Sequence, residues 1–272
     1  MLDIYKEIYE LKQKNEEAVL VTVVERKGHG PANVGKKLLV CKNGEVKGTV
    51  GGGQLEYLAI EKAKEVMKEK KHDIVRYDFT GMNVTKADVS IDMICGGLVT
   101  LYYEYIQCSP KIYILGAGHV GMALSDVLAD LDYKTVVIED RKEIADTVDK
   151  RHEVVVGDYE EVINGLEITA DDYVVVAGYT HEIEYRILKA LFKKDCLPKY
   201  IGLLASERKA RIMLEKLREE ISKDLDFSSV YAPVGLNIGG DTPKEIALSI
   251  LAEIQSIRYK KESTGHLTKD WR

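Results

Sequence analysis

Three consecutive glycines, Gly51, Gly52 and Gly53, run straight into a helical pattern in "KGTVGGGQLEYLAIEKAKEVM" (residues 47–67). A helix gains nothing from them, because glycine costs backbone entropy and carries no side chain to pack. Bare backbone at that point means either a tight turn after a hairpin or the close approach of something large or charged. Free N–H groups at a helix start favour an anionic oxygen. Gln54 and Glu56 follow in the first turn. Their amide and carboxylate can hydrogen-bond a ligand edge; alternatively, Glu56 merely suits the helix dipole.

A second glycine motif, Gly116-x-Gly118-x-x-Gly121, lies in "KIYILGAGHVGMALSDVLADLDYKTVVIED". It directly follows a strand pattern, opens a helix and precedes a second strand ending in Glu139 and Asp140. In that context the glycines allow a tight turn, approach of a phosphate and helix-to-strand packing. Glu139 stands where an acid accepts from a ribose 2′-OH and repels a 2′-phosphate, although Arg141 sits beside it. NAD or another adenine nucleotide is the implied ligand; a Rossmann fold that has lost its ligand is the alternative. His119 lies inside the turn. Thr180 and His181 follow the strand "DYVVVAGYT", where ligands meet the carboxyl ends of parallel strands. His29, in "GHGPANVG", belongs to a loop that can close over a site.

Of the four cysteines, Cys95 is the chemical candidate. Gly96 and Gly97 follow it and keep its surroundings open, and a thiolate is a soft ligand able to hold metal or carry sulfur. A buried cysteine acting as a small hydrophobe is the competing reading. Cys41, Cys108 and Cys196 read as structural. There is no CxxC, and no two histidines have metal-ligand spacing, so no dedicated metal site is expected.

The elements that must position these residues fall into two groups. Residues 1–107 read as a small α+β domain. It has a helix at about 3–14, a strand at 18–25, and a hairpin turning on Asn43-Gly44. The glycine-led helix follows, then "DIVRYDF" and the strand "LVTLYYEYI". From Lys111 strands alternate with helical patterns, the rhythm of a parallel sheet covered on both faces. The fold class expected is therefore α/β, with a Rossmann-like domain at 111–260 after the smaller domain and a polar tail at 261–272. "DTPKEIALSILAEIQSIRY" starts the last helix with Thr242 as cap, Pro243 in the first turn and Glu245 completing a capping box.

Composition narrows the function classes. The 272 residues are 45% hydrophobic and 31% charged, as in a globular protein with a real core. A net charge of −6 leaves no basic excess for a nucleic-acid partner. No apolar run spans a membrane and the start does not read as a signal peptide, so a cytoplasmic protein is expected.

Taken together, the motifs resemble the XdhC/CoxI family, accessory proteins for maturing xanthine dehydrogenase and related molybdenum hydroxylases. The resemblance is carried by "GHGPANVGKKLLV", "GTVGGGQLE", "MICGG", "LGAGHVGMAL", "VVIEDRKE", "YTHEIEYRILKAL", "YIGLLASERKARIML" and "APVGLNIGGDTPKEIALSILAEI". It spans roughly Val21 to Ile257. It implies a chaperone that binds molybdenum cofactor and holds it while a cysteine desulfurase supplies the sulfido ligand. The chaperone then passes the cofactor to the hydroxylase apo-enzyme; a homodimer is implied, and the cofactor site is expected in a cleft between the two domains. Some relatives carry Cys after the three glycines where this chain has Gln54, which excludes a thiol relay there. Ala205-Ser206 stands where Gly-Ser is usual. The competing classes are an NAD(P)-dependent oxidoreductase and a nucleotide-sensing regulator.

Overall fold

The computed structural model describes residues 3–28, 32–79, 87–90, 97–107 and 109–261. The chain divides into two compact units, Met1–Ser109 and Pro110–Arg272.

The first unit runs α1 (Ile4–Lys14), β1 (Ala18–Gly28), β2 (Lys37–Cys41), β3 (Val46–Gly48), α2 (Gly53–Glu69), β4 (Asp73–Asp78), β5 (Val89–Ser90) and β6 (Gly97–Ile106). Its sheet has the order β3-β2-β1-β6-β4-β5. β1 pairs antiparallel with both β2 and β6, and slips register between Val23 and Glu25. Alternation along β1 sends Val19, Val21 and Val23 to one face, where Leu55, Ala59, Ala63 and Val66 of α2 cover them. Ala18 and Leu20 go to the other face, under Ile4 and Leu11 of α1. β1 runs three residues beyond the strand expected from the β-branched run, because its polar end is held by pairing with β6 rather than by burial.

The Asn43-Gly44 hairpin forms by a different turn from the one its dipeptide suggests. Only Gly44 has positive φ (87°), its N–H donates to the Cys41 carbonyl, and Val40 faces Val46 across the loop. That is the longer hairpin turn that ends on a left-handed glycine, not the two-residue turn needing positive φ twice.

The second unit runs β7 (Lys111–Leu115), α3 (His119–Leu128), β8 (Lys134–Glu139), α4 (Lys142–Ala145), β9 (Glu153–Val156), α5 (Tyr159–Gly165), β10 (Tyr173–Val176), α6 (His181–Phe192), β11 (Tyr200–Leu203), α7 (Glu207–Glu220), β12 (Val230–Tyr231) and α8 (Pro243–Arg258). All of its strand pairs are parallel, in the order β12-β11-β10-β7-β8-β9. Tyr113 and Leu115 face α5, α6 and α7 on one side of the sheet. Ile112 and Ile114 face α3 and α8 on the other. Strands buried on both faces explain the nearly continuous apolar runs in the sequence. β12 pairs through only two residues, too short for any periodicity to announce it. The capping box on α8 forms as expected, with Thr242 Oγ1 accepting from the Glu245 N–H and Glu245 accepting from the Thr242 N–H.

Candidate functional site

In the second unit the connection order reverses between β10 and β7, the place where open α/β sheets bind ligands outside the carboxyl ends of their strands. The glycine-rich turn sits there, leading from β7 into α3. Each glycine is required for a different reason. A Cβ on Gly116 (φ +113°) would lie 2.2 Å from the Ala177 carbonyl oxygen, in the loop after β10. A Cβ on Gly121 would lie 2.0 Å from the Gly116 oxygen, so this glycine lets α3 pack against the turn. Around Gly118 a Cβ would meet nothing within 4 Å, so the turn is open at the start of α3. Gly118 is the N-cap of α3 and no side chain caps that helix. His119, its first residue, is exposed.

Glu139 is engaged within the protein itself. Its side chain is fully buried and its carboxylate already accepts from the Ala117 N–H (2.7 Å) and the Arg141 N–H (3.1 Å). Arg141 adds Nε (2.7 Å) and Nη2 (3.0 Å). A carboxylate offers about four lone-pair sites, and the backbone and Arg141 donors engage them here. Burial on its own raises the Glu139 pKa. The Arg141 guanidinium and the Ala117 N–H outweigh that and hold the group at about 2. Glu139 is thus a joint that ties the end of β8 to the glycine-rich turn.

Asp140 is the more open acid. Its side chain keeps 27% of its exposure, and its Oδ2 accepts from the Tyr179 hydroxyl at 3.0 Å. Its Oδ1 is buried without a hydrogen-bond partner. Burial, and then the neighbouring Glu139, push the Asp140 pKa up. The Arg141 guanidinium stacks on the Tyr179 ring, 4.0 Å from its centre. Sequence reasoning passes over Tyr179; its signal is its place directly after the Gly178 that ends the β10 strand run. Thr180 caps α6 by accepting from the Ile183 N–H. His181 is exposed, with Nδ1 3.3 Å from Glu184 Oε2, and the Glu184 carboxyl is itself buried and raised in pKa by that burial.

In the first unit the three glycines all take positive φ: 133° at Gly51, 81° at Gly52 and 60° at Gly53. A Cβ on Gly52 or Gly53 would meet nothing within 4 Å. The run is therefore required by backbone conformation, and it leaves open space in front of α2. Thr49 Oγ1 accepts from the Gly51 N–H (3.1 Å) and donates to Glu56 Oε2 (2.5 Å), which also accepts from the Gly52 N–H (3.2 Å). Glu56 is thus engaged within the motif as a cap on the turn. Gln54 is exposed in the first turn of α2, which has no side-chain cap on its leading N–H groups. Gly97 opens β6 at φ +149°, and its carbonyl accepts from the Phe79 N–H. Cys95, Gly96, Cys108 and His29 lie outside the described residues. Cys41 is buried, and burial raises its thiol pKa, whereas Cys196 is exposed.

Among the described residues no cluster of three or more His, Cys, Asp and Glu side chains is arranged to hold a metal ion. No helix among them is long and apolar enough to cross a membrane.

Parallel strands in this order, with a glycine-rich turn at the reversal, define a Rossmann domain, here preceded by a mixed α/β unit. The chain belongs to the XdhC and CoxI family: the model of that family matches residues 11–78, and the model of the XdhC Rossmann domain matches residues 112–254. It is 28% identical to the Escherichia coli (strain K12) protein YqeB over 98% of this chain, and 27% identical to a probable xanthine dehydrogenase component of Bacillus subtilis (strain 168) over 59% of it. It spans only 48% and 46% of the lengths of those two relatives. A molybdenum cofactor insertion chaperone of E. coli, PaoD, is 25% identical over 92% of this chain and 86% of its own length. A crystal structure described as a xanthine dehydrogenase from Bacillus halodurans shares the fold with a TM-score of 0.53 at 18% identity, covering 98% of each chain.

Proposed function

We propose that this chain is an accessory protein in the maturation of molybdenum hydroxylases. It takes molybdenum cofactor as cargo, holds it while a cysteine desulfurase supplies the terminal sulfido ligand, and delivers it to a xanthine dehydrogenase-type apo-enzyme. The working form is a cytoplasmic homodimer. Family membership supports the reading, as does the likeness to an insertion chaperone over most of both chains.

The observation that carries it is the glycine run. Three successive positive-φ glycines are a costly way to make a turn, and here they leave an open, uncapped helix start. The cargo is a flat pterin with a terminal phosphate and a dithiolene-bound metal. The N–H groups of Gly53 and Gln54 suit an anionic oxygen of such a ligand. The Gln54 amide suits the pterin edge. Glu56, expected from sequence to contact the pterin directly, acts here by holding Thr49 and Gly52 in place. Cys95, Gly96 and Gly97 complete the proposed cargo contacts, with the Cys95 thiol handling sulfur or metal.

The test is to co-express the protein with cofactor biosynthesis, purify it, and measure bound molybdenum and the fluorescence of oxidised pterin. Both are expected in stoichiometric amounts. A preparation that carries no pterin, binds NADH tightly and reduces a carbonyl substrate overturns the proposal in favour of an oxidoreductase.

A further inference from the structure

Lys37 opens β2 and is half-buried, yet among the described residues no carboxylate pairs with it or with its neighbour Lys36. The other half-buried lysines described in this unit, Lys47 and Lys62, each hold an acid, Glu7 at 2.5 Å and Asp73 at 2.9 Å. Both unpaired lysines line one cleft of about 750 Å³, together with Ile4, Tyr5, Gly48 and Thr49. We infer that this cleft is the subsite for the phosphate end of the cargo, with the Lys36 and Lys37 ammonium groups as its counter-charges. The inference rests on the cargo named in the proposed function.

A half-buried ammonium without a counter-charge gives up solvation and gains little in return, so its place calls for a partner from outside. The Lys37 ammonium donates to Thr22 Oγ1 at 3.2 Å and lies 6.0 Å from the centre of the Tyr5 ring. That leaves N–H donors for a ligand. Backbone geometry holds the shape of the cleft. Gly48 (φ +87°) brings the end of β3 against β2: a Cβ there would lie 2.4 Å from the Lys37 carbonyl oxygen and 3.0 Å from Ile4. Gly35 (φ +88°), beside Lys36, has nothing within 4 Å of where a Cβ would stand, so the mouth is open. The acids nearby are already committed. Asp3, which also lines the cleft, caps α1 by accepting from the Tyr5 and Lys6 N–H groups, and Glu7 is held by Lys47. Two cations against one capping acid leave the cleft positive, in a chain whose net charge is −6. Thr49 joins the cleft to the glycine run, because it lines the cleft and its Oγ1 accepts from the Gly51 N–H. A ligand seated at Gly53 and Gln54 can therefore reach the lysines round Thr49, and the volume is in the usual range for a small-molecule site.

Fluorescence titration of the full chain with the oxidised, phosphate-bearing pterin, and with the same pterin after phosphatase treatment, tests this. Wild type should bind the phosphorylated form at least about tenfold more tightly, as charge-assisted hydrogen bonds require. Raised salt should narrow the gap. Lys36→Gln combined with Lys37→Gln should bind both forms alike. Neither substitution breaks an ion pair, and comparing two ligands on one preparation cancels any loss of folded protein. Lys37→Arg, which keeps the charge, should keep the preference. If the double variant discriminates as wild type does, or wild type does not discriminate, the inference is overturned, while the proposed function stands wherever co-expressed wild type carries molybdenum and pterin. If co-expressed wild type carries neither, the proposed function fails and the subsite falls with it.

Discussion

The two glycine motifs use the same residue for opposite ends. At Gly116 and Gly121 the backbone is crowded, and a single Cβ would meet a carbonyl oxygen at 2.2 or 2.0 Å. At Gly52 and Gly53 there is room for a side chain, but φ of 81° and 60° excludes all but glycine at low cost. Gly118 satisfies neither condition: its φ is −66°, and a Cβ placed there would have nothing within 4 Å. Packing accounts for the first pair and conformation for the second. At Gly118 neither does.

The largest effect should come from the crowded pair. Gly121→Ala forces α3 away from the turn that Gly116 makes, and should cost about 3 kcal/mol or more, by analogy with overpacked cores. Thermal unfolding of the second unit reads it directly. A variant that melts within a degree of wild type would show that α3 can shift freely and that the close approach is not structural.

Next in size is the joint at Glu139. Glu139→Gln leaves the Arg141 guanidinium without its charged partner and should cost about 2–3 kcal/mol, the range for hydrogen bonds to charged groups. The pH dependence follows from the sign of the shift. The folded value of about 2 lies below the ordinary 4.5, so the stabilisation is fully present above pH 4.5 and is lost as the pH falls toward 2. Asp140 is shifted the other way and offsets part of this slope. Denaturant midpoints measured from pH 6 to pH 2.5 should therefore fall less steeply for Glu139→Gln than for wild type. Parallel curves would show that Glu139 contributes no proton-linked stability.

The smallest change in stability should separate Gly52 from Gly118. Gly52→Val should cost about 1–2 kcal/mol through its left-handed φ alone, and should lower molybdenum retention far more than Gln54→Ala, which removes at most one hydrogen bond. Gly118→Val should cost about 1 kcal/mol or less, the loss of a good helix N-cap, since its backbone is extended and its surroundings open, while it adds a side chain where a phosphate would lie. Melting curves and molybdenum content are compared on the same preparations. If Gly52→Val retains its molybdenum, the glycine run is a turn and the cargo site lies elsewhere.

Much of the architecture is local and so was legible in the sequence. The alternation of strands and helices after Lys111, the glycine turn opening α3 and the capping box at Thr242 and Glu245 each depend on residues within one or two turns of each other. The same locality makes Gly51 to Gly53 conspicuous, because no regular element tolerates three such residues without cause. What only the tertiary structure decided is who partners whom. Glu139 is committed to Ala117, 22 residues away, and Asp140 to Tyr179, 39 residues away. β1 is committed to β6, with Ala18 opposite Ile106. Sequence placed an acid at the end of β8 but could not tell which of two adjacent carboxylates would be buried. That depends on where the arginine and the turn N–H come to rest, and desolvation makes a buried carboxylate take every donor within reach.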